Sequence, residues 1–297
     1  MSNSKFKGLG VALVTPFSES GEIDFGRLEK LVDDVITNGV DYVVALGTTS
    51  ESPTLKDKEK VEVVKAVVGA AGGRVPVVMG LGGPSTYEIV DRFKGWNFDG
   101  VDAILSVTPY YNRPSQEGLY AHYHTIAHYS PLPIILYNVR SRTSCNIEAD
   151  TTLRLANDCK NIIAIKEASG NINQIMRIVK HKPDDFLVIS GDDAITLPLL
   201  ATGVDGLISV VANAFPKEIS QMVHLGLENR FEEAKRIHLR MLDITQSCFK
   251  EGNPSGIKAV LSLQGKIDNT LRLPLTRVSV DLEAQMRQIL DEIEQTR

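Results

Sequence analysis

The sequence predicts an α/β fold: a (β/α)8 TIM barrel with a helical C-terminal extension. Three observations carry that prediction. Short β-rich apolar runs alternate with longer stretches of helical period, the runs number eight, and each is nearly continuously apolar. Strict β-α alternation implies a parallel sheet, because parallel neighbours need a crossover. Continuously apolar strands mean that both faces of the sheet are covered. Eight repeats in 297 residues favour a closed barrel over an open doubly wound sheet. The G-x-G-x-x-G turn of a dinucleotide fold is absent after the first run.

The first strand is expected at Val11 to Val14, ending at Thr15-Pro16. Asp24 then caps a helix in which Leu28, Leu31, Val32, Val35 and Ile36 share a face, and Asn38-Gly39 stops it. Tyr42 to Leu46 is the second strand, followed by a helix through Lys56 to Ala71. The remaining strands are expected at Val75 to Met79, Ala103 to Val107, Ile134 to Tyr137, Ile162 to Ile165, Phe186 to Ile189 and Leu207 to Val211. Beyond them, Pro216 to Glu228, Arg230 to Phe249, Gly256 to Gly265 and Asp281 to Gln295 read as helices. The first of these completes the barrel. A catalytic barrel is therefore expected over residues 1–228, with a helical extension over 229–297 packed on it and not an independent domain.

Composition narrows the function. A formal net charge of −5 offers no basic face, so no nucleic-acid partner is expected. No apolar signal region opens the chain and no run of about 18 apolar residues follows, so no membrane partner is expected either. Cys145, Cys159 and Cys248 are odd in number and far apart, which fits neither a disulfide framework nor a zinc site. A cytoplasmic location follows as the expectation.

Active sites of such barrels lie at the C-terminal ends of the strands, and there the incongruous polar residues gather. Strand two runs into Gly47-Thr48-Thr49-Ser50-Glu51, strand four into Tyr110-Tyr111-Asn112-Arg113, and strand five into Tyr137-Asn138 with Arg142 nearby. Strand six ends in Lys166-Glu167 and strand seven in Gly191-Asp192-Asp193. An apolar strand end favours a neutral lysine amine, the form that attacks a carbonyl. Lys166 is then a nucleophile or a lysine snorkelling to solvent. Tyr137 is a proton-transfer group or a core tyrosine. Thr48 and Thr49 are an anion cradle of exposed N–H groups or an ordinary capped turn. Arg142 is a carboxylate clamp or a solvated loop arginine. No metal site is expected: Asp192 and Asp193 read as caps of the next helix, and His124 and His128 as a solvated helix face.

Taken together, these residues form a recognisable set. Gly47 to Glu51, Tyr110 to Tyr120, Leu136-Tyr137-Asn138-Val139-Arg140-Ser141-Arg142-Thr143, Ile165 to Gly170 and Thr270-Leu271-Arg272-Leu273-Pro274 resemble the dihydrodipicolinate synthase family of class I pyruvate aldolases, relatives of N-acetylneuraminate lyase. The resemblance covers essentially the whole chain. It implies a metal-independent lyase, without cofactor, that condenses pyruvate with L-aspartate 4-semialdehyde on the diaminopimelate route to lysine. It also implies a Schiff base on Lys166 and a proton relay of Tyr137, Thr49 and Tyr111, with Tyr111 reaching in from a neighbouring subunit of a homotetramer, a dimer of dimers. Substrate contacts implied are Thr48 and Thr49 for the pyruvate carboxylate, Arg142 for the semialdehyde carboxylate, and Ile208.

Two departures from the family pattern stand out. Ser50 replaces the glycine of G-T-T-G-E, with an expected loss of backbone freedom, and Arg140 replaces a proline near Arg142. Asp57, Lys60 and Pro84 stand where lysine-inhibited members often carry histidines and an asparagine, so weak or no inhibition by L-lysine is expected. Two alternatives remain at this stage: a sibling N-acetylneuraminate or 2-keto-3-deoxy-sugar-acid lyase, and a non-catalytic metabolite-binding homologue.

Overall fold

In the computed structural model, which describes residues 3–295, eight parallel strands close into a barrel in chain order. They are β1 Gly8–Ala12, β2 Tyr42–Ala45, β3 Val77–Gly80, β4 Ala103–Val107, β5 Ile134–Asn138, β6 Ile162–Glu167, β7 Leu187–Ser190 and β8 Gly206–Ser209. The helices are α1 Phe25–Thr37, α2 Asp57–Ala71, α3 Thr86–Gly95, α4 Gln116–Tyr129, α5 Arg140–Thr143, α6 Ala149–Asp158, α7 Ile172–His181, α8 Thr196–Leu200, α9 Pro216–Leu227, α10 Phe231–Lys250, α11 Ser255–Leu263 and α12 Val280–Gln295. The predicted fold class and order are those observed. Asp24 caps α1 as expected, its carboxylate accepting from the Arg27 N–H at 2.9 Å.

Two strand boundaries moved for a physical reason. β1 begins at Gly8 rather than Val11 and closes the barrel against β8, with Gly8 opposite Gly206. At Gly206 a Cβ would stand 2.0 Å from the Gly8 carbonyl oxygen, so this seam closes only on glycine. Read locally, those glycines look like breakers. β6 runs two residues past its expected end, and Lys166 and Glu167 pair with Tyr137 and Asn138 inside the sheet.

The strands separate two apolar layers. Ile134 and Leu136 of β5 face the outer layer under the helices, while Ile135 and Tyr137 face the barrel interior. β6 breaks the simple alternation. Ile134 pairs with Ile162 but Ile135 pairs with Ala164, leaving Ile163 as an extra residue. Ile163 and Ala164 therefore both face inward, Ile165 faces outward, and Lys166 shares the inward side. Without this bulge, strict alternation from the outward Ile162 would turn Lys166 away from the interior.

The C-terminal helices α10 to α12 add Ile244, Cys248, Ile257, Val260, Leu282 and Met286 to the same outer layer. All three cysteines are free and buried. Among the described residues, no helix is long and apolar enough to cross a membrane, and no group of three or more His, Cys, Asp or Glu could hold a metal ion.

Candidate active site

At the C-terminal ends of the strands lies a cavity of about 780 Å³. Its walls include Thr48, Thr49, Tyr137, Arg142 and Lys166, which are far apart in sequence. Lys166 is only 5% exposed, and its Nζ stands 4.5 Å from the centroid of the Tyr137 ring. Gly191, from the end of β7, makes room for the lysine stem. A Cβ there would lie 2.8 Å from Lys166 Cε and 2.8 Å from the Ala168 Cβ. Gly191 has no left-handed φ, so the glycine is required by space alone.

Glu167, next to Lys166, points the other way. Its buried carboxylate accepts from Asn138 Nδ2 at 2.9 Å and from Gln174 Nε2 at 2.8 Å, while burial raises its pKa above the ordinary carboxylate value. Those bonds tie β5, β6 and α7 together under the lysine.

Thr48–Ser50 forms a single 3-10 turn between two left-handed residues, Leu46 (φ 55°) and Glu51 (φ 56°). The Ser50 and Glu51 N–H groups donate back to Gly47 and Thr48, and among the described residues no acceptor takes the Thr48 or Thr49 N–H. Two such donors at the mouth of a barrel have the chemistry to hold an anion. Ser50 itself has no positive φ. The loss of backbone freedom expected from Ser50 therefore falls on a position that does not need it, and its hydroxyl bonds the Gly47 carbonyl at 2.8 Å.

Arg142 lies on the one-turn helix α5, which local sequence does not signal. Its Nη2 donates to the Asn253 carbonyl at 3.1 Å, leaving the rest of the guanidinium facing the cavity. The Asn253 side chain donates to Thr49 Oγ1 at 3.0 Å. One residue of the C-terminal extension thus links the arginine to the threonine cradle. Sequence reasoning missed Asn253, since nothing near it signals contact with residues 111 and 204 positions away.

The other expected residues divide. Tyr111, with φ 71°, is 91% exposed and lies outside the cavity wall, presented to the surroundings of the chain. Ile208 is fully buried in the barrel's inner layer and does not line the cavity. Asp192 caps the next turn through the Ala194 N–H, as expected. Asp193 does not: it is buried, accepts from the Ser209 hydroxyl and from the Val210 and Val211 N–H groups, and so pins the end of β8. His124 and His128 are exposed on α4.

The sequence model of the dihydrodipicolinate synthetase family matches residues 5–293. A Parabacteroides distasonis protein named 4-hydroxy-tetrahydrodipicolinate synthase is 49% identical, covering 99% of both chains. The crystal structure of dihydrodipicolinate synthase from Aquifex aeolicus superimposes with a TM-score of 0.94 at 41% identity, covering 97% of this chain and 98% of the other. A structure described as the first monomeric dihydrodipicolinate synthase variant gives a TM-score of 0.95 at 39% identity, covering 98% of each chain. With the family model spanning nearly the whole chain and relatives matched along their full length, the chain belongs to the dihydrodipicolinate synthetase family.

Proposed function

We propose that this chain condenses pyruvate with L-aspartate 4-semialdehyde to give 4-hydroxy-tetrahydrodipicolinate, the activity named for its relatives. The observation that carries the proposal is Lys166, a nearly buried lysine facing a cavity it shares with Tyr137, a pair of free backbone donors and an arginine.

The Lys166 amine adds to the ketone carbon of pyruvate; the carbonyl oxygen collects protons and leaves as water, giving a protonated imine. The Thr48 and Thr49 N–H groups hold the pyruvate carboxylate meanwhile. A methyl proton then departs and its electron pair moves toward the imine nitrogen, forming an enamine. The enamine carbon attacks the semialdehyde carbonyl, whose oxygen takes up a proton and becomes the 4-hydroxyl. The amino group of the added chain finally attacks the imine carbon, closes the ring and expels the Lys166 amine. The protonated imine supplies the electrophilic activation that a Lewis acid would otherwise provide, so no metal or other cofactor is required.

Tyr137 and Thr49 are assigned to proton transfer, with Tyr111 joining them from a second copy of the chain. Its 91% exposure and left-handed backbone suit a side chain offered to a neighbour. Arg142 anchors the semialdehyde carboxylate. Ile208 is assigned to substrate contact on the family resemblance alone, since it does not line the cavity wall. The proposed assembly is a homotetramer in the cytoplasm, and the proposed organisation a barrel over residues 1–228 carrying 229–297 as an extension.

The test is an assay with pyruvate and L-aspartate 4-semialdehyde, product being reported by the next-step reductase through NADPH loss. Turnover is expected to vanish in Lys166→Ala. In Arg142→Ala it falls roughly a hundredfold, the scale of a lost charge-assisted clamp. Pyruvate trapped on Lys166 by borohydride without turnover, together with cleavage of sialic acid, would move the assignment to a sibling aldolase.

A further inference from the structure

Among the described residues only two lysines are buried: Lys166, at the cavity, and Lys258, fully buried on α11 and away from the cavity wall. The Lys258 Nζ stands 2.5 Å from Glu51 Oε1, both side chains completely shielded from solvent. It also donates to the Thr270 carbonyl at 2.9 Å and lies 4.1 Å from the centroid of the Phe17 ring. Glu51 Oε2 accepts from the Arg272 N–H at 3.0 Å, and the Arg272 guanidinium, itself clamped by Glu59, packs over the same ring.

Glu51 is the residue that closes the Thr48–Ser50 turn. It holds a left-handed backbone (φ 56°, ψ 33°) that a non-glycine residue adopts only when its surroundings impose it. What imposes it here is the hold on its carboxylate, because the backbone contacts of Glu51 are confined to its own loop. We infer that Lys258 is a positioning residue for the pyruvate carboxylate: by fixing Glu51, it sets the direction of the Thr48 and Thr49 N–H groups at the far end of the same turn. The inference rests on the assignment of that cradle to pyruvate. Lys258 touches no substrate and takes no part in the covalent steps.

A purely structural ion pair and a positioning one differ in what they change. Removing one partner of a buried pair leaves a charge without compensation, so Lys258→Met lowers the melting temperature in either case. The double variant Lys258→Met/Glu51→Gln removes both charges and regains stability. Any defect remaining in it reports position, not charge.

The experiment compares the full-length wild type with both variants, measuring melting temperature, half-saturation for pyruvate in borohydride trapping, and KM for each substrate. Both variants are expected to need roughly ten- to a hundredfold more pyruvate, the scale of an ångström-level misplacement. KM for the semialdehyde stays within about twofold, since a shift of the cradle leaves the arginine anchor in place. Should Lys258→Met not fold, the double variant alone decides. A double variant with wild-type pyruvate KM overturns the positioning role and leaves a stabilising pair. Wild-type protein that traps no pyruvate overturns the substrate assignment itself, and the positioning role with it.

Discussion

At the scale of single residues, the site depends as much on absent atoms as on present ones. Lys166 can stand upright in the cavity because Gly191 leaves 2.8 Å where a Cβ would meet its Cε. Gly191→Ala is expected to cost about 1–3 kcal/mol through overpacking. It should also slow imine formation on Lys166 by roughly a hundredfold, because the lysine stem is pushed off its approach. Borohydride trapping against time measures the second effect; unchanged trapping would show that the lysine does not need this space. His122 shows the opposite economy. It is buried on α4, its Nδ1 is paired with the Thr86 hydroxyl at 2.8 Å, and burial lowers its pKa to about 4. The imidazole is therefore kept neutral where an unfolded chain would already be protonated.

At the scale of elements, the extension shapes the site. α11 and the turn before it contribute Asn253, which touches both Thr49 and Arg142, and Lys258, which holds Glu51. The start of α2 bears on the expected response to free lysine. There the Asp57 carboxylate lies between Lys60 at 3.0 Å and Arg92 at 4.0 Å, one negative charge against two positive. With two cations at this position, the ammonium of free lysine is expected to be disfavoured. Inhibition by L-lysine is accordingly expected to be weak or absent, and half-inhibition at sub-millimolar lysine in the coupled assay would contradict this.

At the scale of the molecule, stability should depend on pH in a definite direction. His122 has a folded pKa of about 4 against an ordinary 6.5. Between those values the unfolded chain binds a proton that the folded chain refuses. Stability is then fully present above pH 6.5 and is lost as pH falls toward 4, by about 3 kcal/mol over the whole span. His224 runs the other way, its pKa raised by the Asp41 carboxylate 2.8 Å away. Its contribution is present below 6.5 and lost as pH rises through the raised value. Thermal unfolding from pH 7.5 to 5 should show a falling melting temperature in the wild type and a flatter profile in His122→Gln. Equal slopes in the two would assign the acid sensitivity elsewhere.

The barrel class, the order of its eight strands and the helices that follow were legible in the sequence, because apolar period and capping residues are local signals. So was the gathering of Thr48, Thr49, Tyr137, Arg142 and Lys166 at one end, which follows once strand ends are known. Lys258 left one trace, a solitary cation among Ile257, Ala259, Val260 and Leu261, which local pattern could flag but not explain. Tertiary structure alone decided the rest. Lys166 faces inward because Ile163 is an extra residue in the pairing of β5 with β6, and a bulge reverses the parity of every residue after it. That register is set by how eight strands close on one another, and Asn253 and Lys258 reach the site only through the packing of the extension. Local sequence fixes which way a chain prefers to fold over a few residues; closure and packing are properties of distant segments together, and they determine where the lysine points.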